Sequence, residues 1–126
     1  MSAPIHRIKP TFRLIKCNSF DTIIDVRSPS EFLDDHVPNA INLPVLDDMQ
    51  RESIGTIYSQ KNPFEAKRAG AALVAQNISL YLQTELAEKD RYWRPLIYCW
   101  RGGHRSGAMA KIFSDIGWHT KVIEGG

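Results

Sequence analysis

Residues Cys99-Trp100-Arg101-Gly102-Gly103-His104-Arg105-Ser106 are the stretch whose types and spacing could do chemistry. A thiol attacks as its thiolate, and nearby positive charge and unpaired backbone N–H groups favour that form. Gly102 and Gly103 have no side chains and can turn several N–H groups toward one anion or toward the sulfur itself. Arg101, His104 and Arg105 add positive charge around them. The segment reads as a nucleophile loop, with Cys99 as the candidate catalytic residue. Trp100, Arg101, Gly102, Gly103, His104 and Arg105 are the candidates for binding an anionic substrate. The bland alternative is a small buried hydrophobe, the usual state of a free cysteine, but it leaves two glycines and two arginines unexplained. A disulfide with Cys17 stays open on sequence alone, although two cysteines without an export signal favour reduced thiols. No CxxC or paired His/Cys spacing offers a metal site, and no cofactor is implied.

These residues need a strand to deliver them and a helix to receive them. Pro95-Leu96-Ile97-Tyr98 is apolar and reads as a short buried strand, while Ala108, Met109, Ile112, Phe113 and Ile116 recur at helical spacing. Gly117 is placed to end that helix with a left-handed cap. A cysteine between such a strand and helix faces the helix's unpaired N–H groups and the positive end of its dipole. Upstream, the β-branched run Thr22–Val26 predicts a central parallel strand. Ser28, Pro29 and Glu31 then predict a helix start with a capping box. Asp35–Pro44 reads as a turn and a brief strand bounded by prolines. Residues 45–64 read as a mixed segment longer than a usual connection. From Glu65 to about Lys89, Ala71, Val74, Ala75, Ile78, Leu82 and Leu86 predict one long helix. Arg91–Arg94 reads as a turn in which Trp93 packs at the surface. Lys121–Glu124 predicts the last strand, while Ile5–Ile8 and Phe12–Ile15 predict a short edge strand and a connection. Cys17 reads as structural.

With 126 residues, 43% of them hydrophobic, the chain is sized for one domain with a real core. The pattern predicts an α/β fold with a mostly parallel sheet of about five strands and helices on both faces. A net charge of +2 is too small to argue for nucleic-acid binding by itself. No run has transmembrane length and no signal-peptide pattern is present, so no membrane partner and a cytoplasmic location are expected.

Asp25-x-Arg27, then Glu31-Phe32, then His36-Val37-Pro38-x-Ala40-x-Asn42-Leu43-Pro44, resembles the leading signature of rhodanese-like domains. The Cys99 loop and the closing Val122-Ile123-Glu124-Gly125-Gly126 resemble that family's active loop and final strand. Arg51 with Ile54-Gly55-Thr56-Ile57-Tyr58, together with Tyr98–Gly103, is similar to the rhodanese domain of tRNA 2-selenouridine synthases. The resemblance implies transfer of sulfur or selenium, held on Cys99 as a persulfide or perselenide. It implies an anionic donor such as thiosulfate or selenophosphate and a tRNA wobble uridine as acceptor. It also implies that residues 1–126 are an N-terminal portion of a longer protein. A later domain with a Walker loop, absent from this sequence, would supply most tRNA affinity. In such domains Asp25, Arg27 and His36 read as hydrogen-bonding braces.

Two other readings stand beside this one. Many single-domain rhodaneses have Cys-x-x-Gly-x-Arg, whereas here five residues separate Cys99 from Arg105. That longer spacing is shared with cysteine-dependent phosphatases of the same fold, although Tyr98 stands where they usually have histidine. The other reading is a non-catalytic interaction module, a class that commonly loses the cysteine this chain keeps.

Overall fold

The computed structural model describes residues 2–8, 20–99 and 104–123. The β-branched and apolar runs of the sequence become adjacent parallel strands, since such runs can be buried on both faces. The strands are β1 (Ile5–Ile8), β2 (Thr22–Asp25), β3 (Ile41–Asn42), β4 (Pro95–Tyr98) and β5 (Thr120–Ile123). They form one sheet in the order β1-β5-β4-β2-β3, with every pair parallel. Helices α1 (Pro29–Asp34), α2 (Asp48–Gln60), α3 (Pro63–Gln83) and α4 (His104–Ile116) pack around it.

Successive strand residues face opposite sides, and the core follows that alternation. Ile24, Val26, Ile97, Cys99 and Val122 lie in one cluster with Ile78 of α3 and Met109, Ala110 and Phe113 of α4. Ile23, Leu96, Tyr98 and Ile123 lie in the other, with Phe20, Val37 and Ala40. Gly117 has φ 117° and closes α4 as expected, with Gly117 N and Trp118 N donating to Phe113 O at 3.2 and 3.1 Å.

Three expectations are corrected. Most of the segment 45–64 is not irregular but forms α2. Asp47 and Gln50 cap it reciprocally, at 2.7 and 3.0 Å, and only Gln50, Ile54 and Ile57 are half-buried along it. The long helix ends at Gln83 rather than near Lys89. Thr84 N and Leu86 N both bond back to Tyr81 O, and Leu86 still reaches the core from the turn. Trp93 is not a surface residue: it is 6% exposed, lies edge-on to Trp118 at 4.9 Å, and donates Nε1–H to Thr22 Oγ1 at 2.9 Å. Phe12–Ile15, Cys17 and Glu124 lie outside the described residues. No helix among the described residues is long and apolar enough to cross a membrane.

The expected braces are found where β2 ends. Asp25 and Arg27 form a buried ion pair, with Arg27 Nη2 to Asp25 Oδ2 at 2.8 Å and Arg27 N to Asp25 Oδ1 at 2.9 Å. Tyr98 of β4 donates its hydroxyl proton to Asp25 Oδ2 at 2.9 Å and accepts from Val37 N at 3.0 Å. Arg27 Nη2 also donates to Asp35 O. Asn42 Nδ2 donates to the carbonyls of Asp25 and Arg27 at 3.0 and 2.9 Å. His36 stacks on Phe32 with ring centroids 3.7 Å apart, its Nδ1 2.6 Å from Phe32 O. Buried charges are tolerated only when paired, so this network fixes the turns at the carboxyl edge of the sheet. Asp25→Ala removes the carboxylate paired with buried Arg27 and should destabilise the fold by about 3–5 kcal/mol, against about 1–2 kcal/mol for Tyr98→Phe. Urea unfolding checks this, and equal losses in the two variants would contradict the brace.

Candidate active site

In a parallel sheet the carboxyl ends of all strands share one edge, where α/β folds place their ligand sites. Cys99 follows β4 directly at that edge and is 1% exposed. Ser106 is the third residue of α4, so its N–H has no carbonyl partner within the helix. It points at the sulfur instead, with Ser106 N to Cys99 Sγ at 3.4 Å and Ser106 Oγ at 3.3 Å. The N–H donates to the sulfur, while the hydroxyl oxygen accepts from the thiol and can turn to donate once the sulfur is ionised.

Next to Ser106, Arg105 turns to Glu31 of α1, with Nη1 to Oε1 at 2.8 Å and Nη2 to Oε2 at 3.4 Å. Glu31 also accepts from Ser28 N at 3.1 Å and Ser28 Oγ at 2.9 Å, the expected capping contact. A second guanidinium, Arg51 of α2, reaches the same Oε1 at 2.7 Å. Burial raises the pKa of Glu31, but hydrogen bonds from Arg105 and Ser28 and the charge of Arg105 outweigh it and hold the carboxyl at about 2.

Of the expected site residues, Cys99 and Arg105 are thus brought to one edge. Trp100, Arg101, Gly102 and Gly103 lie outside the described residues, as does the side chain of His104, whose backbone starts α4. Three contributors carry no site role in the sequence reading. Ser106 was signalled only by its place in the first turn of α4. Glu31 was signalled as a cap but not as the partner of Arg105, and Arg51 only as part of a pattern. An apolar groove of about 400 Å³, lined by Ile54, Tyr58, Gly70, Val74 and Ala108 among others, ends at Arg105. A larger hollow of about 670 Å³, lined by Lys89, Arg91, Tyr92 and Trp118 among others, lies at the amino end of β4 and β5, away from the cysteine. No group of three or more His, Cys, Asp or Glu among the described residues is arranged to hold a metal ion.

The family model for the Rhodanese-like domain matches residues 13–126. Curated relatives include the tRNA 2-selenouridine synthases of Nitrosomonas europaea, 36% identical, and Proteus mirabilis, 39% identical. The one from Shewanella denitrificans is 37% identical. Each match covers 82% of this chain and 27%, 29% and 29% of the respective relative, so the chain spans less than a third of their length. Among solved structures, the N-terminal domain of a Clostridium difficile 630 protein described as ATP/GTP binding superposes with a TM-score of 0.70. It is 34% identical, with 98% of this chain and 92% of that chain covered.

The depressed pKa of Glu31 ties stability to pH. A carboxyl at about 2 in the fold and near 4.5 otherwise stabilises fully above pH 4.5, and that stabilisation is lost as pH falls toward 2. In urea titrations the stability gap between the unsubstituted chain and Glu31→Gln should be constant above pH 5 and close between about 4.5 and 2. A gap independent of pH would contradict the pairing.

Proposed function

The chain belongs to the rhodanese-like family, and on that premise we propose that it is a sulfur- or selenium-carrying transferase domain with Cys99 as the carrier. The observation that supports this best is the sulfur at the β4–α4 junction, met by Ser106 N–H and Oγ at 3.4 and 3.3 Å. An N–H donor, with a hydroxyl that accepts from the thiol and can turn to donate to a thiolate, suits a sulfur that bears negative charge before and after it is loaded.

With thiosulfate as donor, the Cys99 thiolate attacks the outer sulfur and forms a new S–S bond. The S–S bond of the donor breaks and sulfite leaves with the electron pair, so the negative charge passes to the terminal sulfur of a Cys99 persulfide. An acceptor nucleophile then takes that sulfur and returns the thiolate. Trp100, Arg101, Gly102, Gly103, His104 and Arg105 bind the anionic donor in this reading. If the cargo is selenium, the balanced counterpart is a selenosulfate-type anion, whose Se–S bond breaks as sulfite leaves with the electron pair.

The relatives' name, tRNA 2-selenouridine synthase, extends the proposal to 2-thiouridine in tRNA as the final acceptor. The matched region is 27–29% of those proteins, and in this reading it is the portion that loads the chalcogen. Most tRNA contacts are assigned to the unmatched remainder. In this reading the domain works in the cytoplasm, where a carrier thiol stays reduced.

Intact-mass spectrometry tests the proposal. Thiosulfate should add one sulfur to the chain, removable by cyanide, and Cys99→Ser should add none. A parallel arm with selenosulfate reads whether selenium is carried as well as sulfur. The cysteine-to-arginine spacing of phosphatases is tested in the same samples: rapid hydrolysis of an aryl phosphate with no persulfide would replace this reading with a phosphatase.

A further inference from the structure

Glu31 holds two arginines, and only one of them belongs to the cysteine loop. Arg105 Nη1 and Arg51 Nη1 lie 2.8 and 2.7 Å from the same carboxylate oxygen. Two guanidiniums share this one carboxylate, and the neighbouring Asp48 carboxylate, held by Ser30 N–H and Oγ–H at 3.2 and 2.6 Å, offsets only part of their remaining positive charge. Their exposure decides where that charge is offered. The side chains of Arg105 and Glu31 are 19% and 20% exposed, whereas that of Arg51 is 49% exposed. Arg105 in turn immediately precedes Ser106, which touches Cys99 Sγ through both its N–H and its hydroxyl. The more accessible of the two guanidiniums is therefore the one on α2, one carboxylate away from the segment that holds the sulfur.

We propose that Arg51 is a recognition residue for the sulfur donor, binding the oxyanion head of a sulfonate- or phosphate-like group while the donor's sulfur meets Cys99. The proposal rests on the reading of Cys99 as an acceptor of sulfur from an anionic donor. A guanidinium is a planar fork that suits an oxyanion with several oxygens, and Glu31 fixes its orientation before the donor arrives. Glu31 does not repel the donor as a free carboxylate would. It is enclosed, and Ser28, Arg105 and Arg51 take up its oxygens. A half-exposed ion pair adds little to stability, so fold stability alone is a weak reason for Arg51 to be there.

The test compares two alkylating agents of similar size on the full chain, read at the Cys99 peptide by mass spectrometry. Iodoacetate is an anion and iodoacetamide is neutral. Arg51→Gln should slow iodoacetate by about five- to tenfold while changing iodoacetamide by less than about twofold, as expected for loss of one charge-assisted contact. Arg51→Lys should keep most of the preference for the anion. Half-saturating thiosulfate for Cys99 loading should rise by a similar factor in Arg51→Gln, with the limiting rate unchanged. Equal slowing of both agents would make Arg51 merely structural, and no change in either would remove it from the site. If the iodoacetate preference falls but thiosulfate never loads the unsubstituted chain, the anion site stands and the sulfur-transfer reading fails.

Discussion

A single carboxylate, Glu31, joins segments that are far apart in the chain. It receives Ser28 from its own helix start, Arg51 from α2 and Arg105 from the first turn of α4. Two of those elements are weakly anchored on their own: α1 and α2 contain no fully buried residue. A charged hydrogen-bond hub with fixed geometry supplies the rigidity that apolar packing does not supply there. The start of α4 is the element that matters most, because Ser106 follows Arg105 and presents its N–H and hydroxyl to Cys99.

The hub works because the sheet beneath it is parallel and buried on both sides. Parallel pairing puts the ends of β2 and β4 next to each other, as Asp25 opposite Tyr98 shows. The Asp25–Arg27–Tyr98 network then locks the β2 turn and the chain at Val37 at that edge. Strand alternation sends Tyr98 to one face, where its hydroxyl serves the brace, and Cys99 to the other, against α4. One residue of register separates the Tyr98 hydroxyl from the Cys99 sulfur, so a register slip would exchange their environments.

The part of the site that was legible in the sequence is the part encoded locally. Strand, loop and helix around Cys99 follow from an apolar run, two glycines and a helical repeat closed by Gly117. The Ser28–Glu31 cap follows from spacing alone. The pairing of Glu31 with Arg105 spans 74 positions, and no local pattern encodes it. Helix α2 was missed because its buried stripe is thin, with Ile54 and Ile57 the half-buried aliphatic residues on it. Trp93 was misplaced because its neighbours Asp90, Arg91, Tyr92 and Arg94 are polar or exposed. Only the tertiary contact with Trp118 and Phe113 makes it a core residue. In each case tertiary packing or charge pairing overrode a local signal.

The central claim is that the β4–α4 junction holds a transferable sulfur on Cys99. A crystal structure of the chain after reaction with thiosulfate tests it most directly. The account predicts one additional sulfur bonded to Cys99 Sγ, with Ser106 N–H directed at the persulfide and Arg105 still paired with Glu31. An unmodified Cys99, or the added sulfur on Cys17 instead, would contradict it.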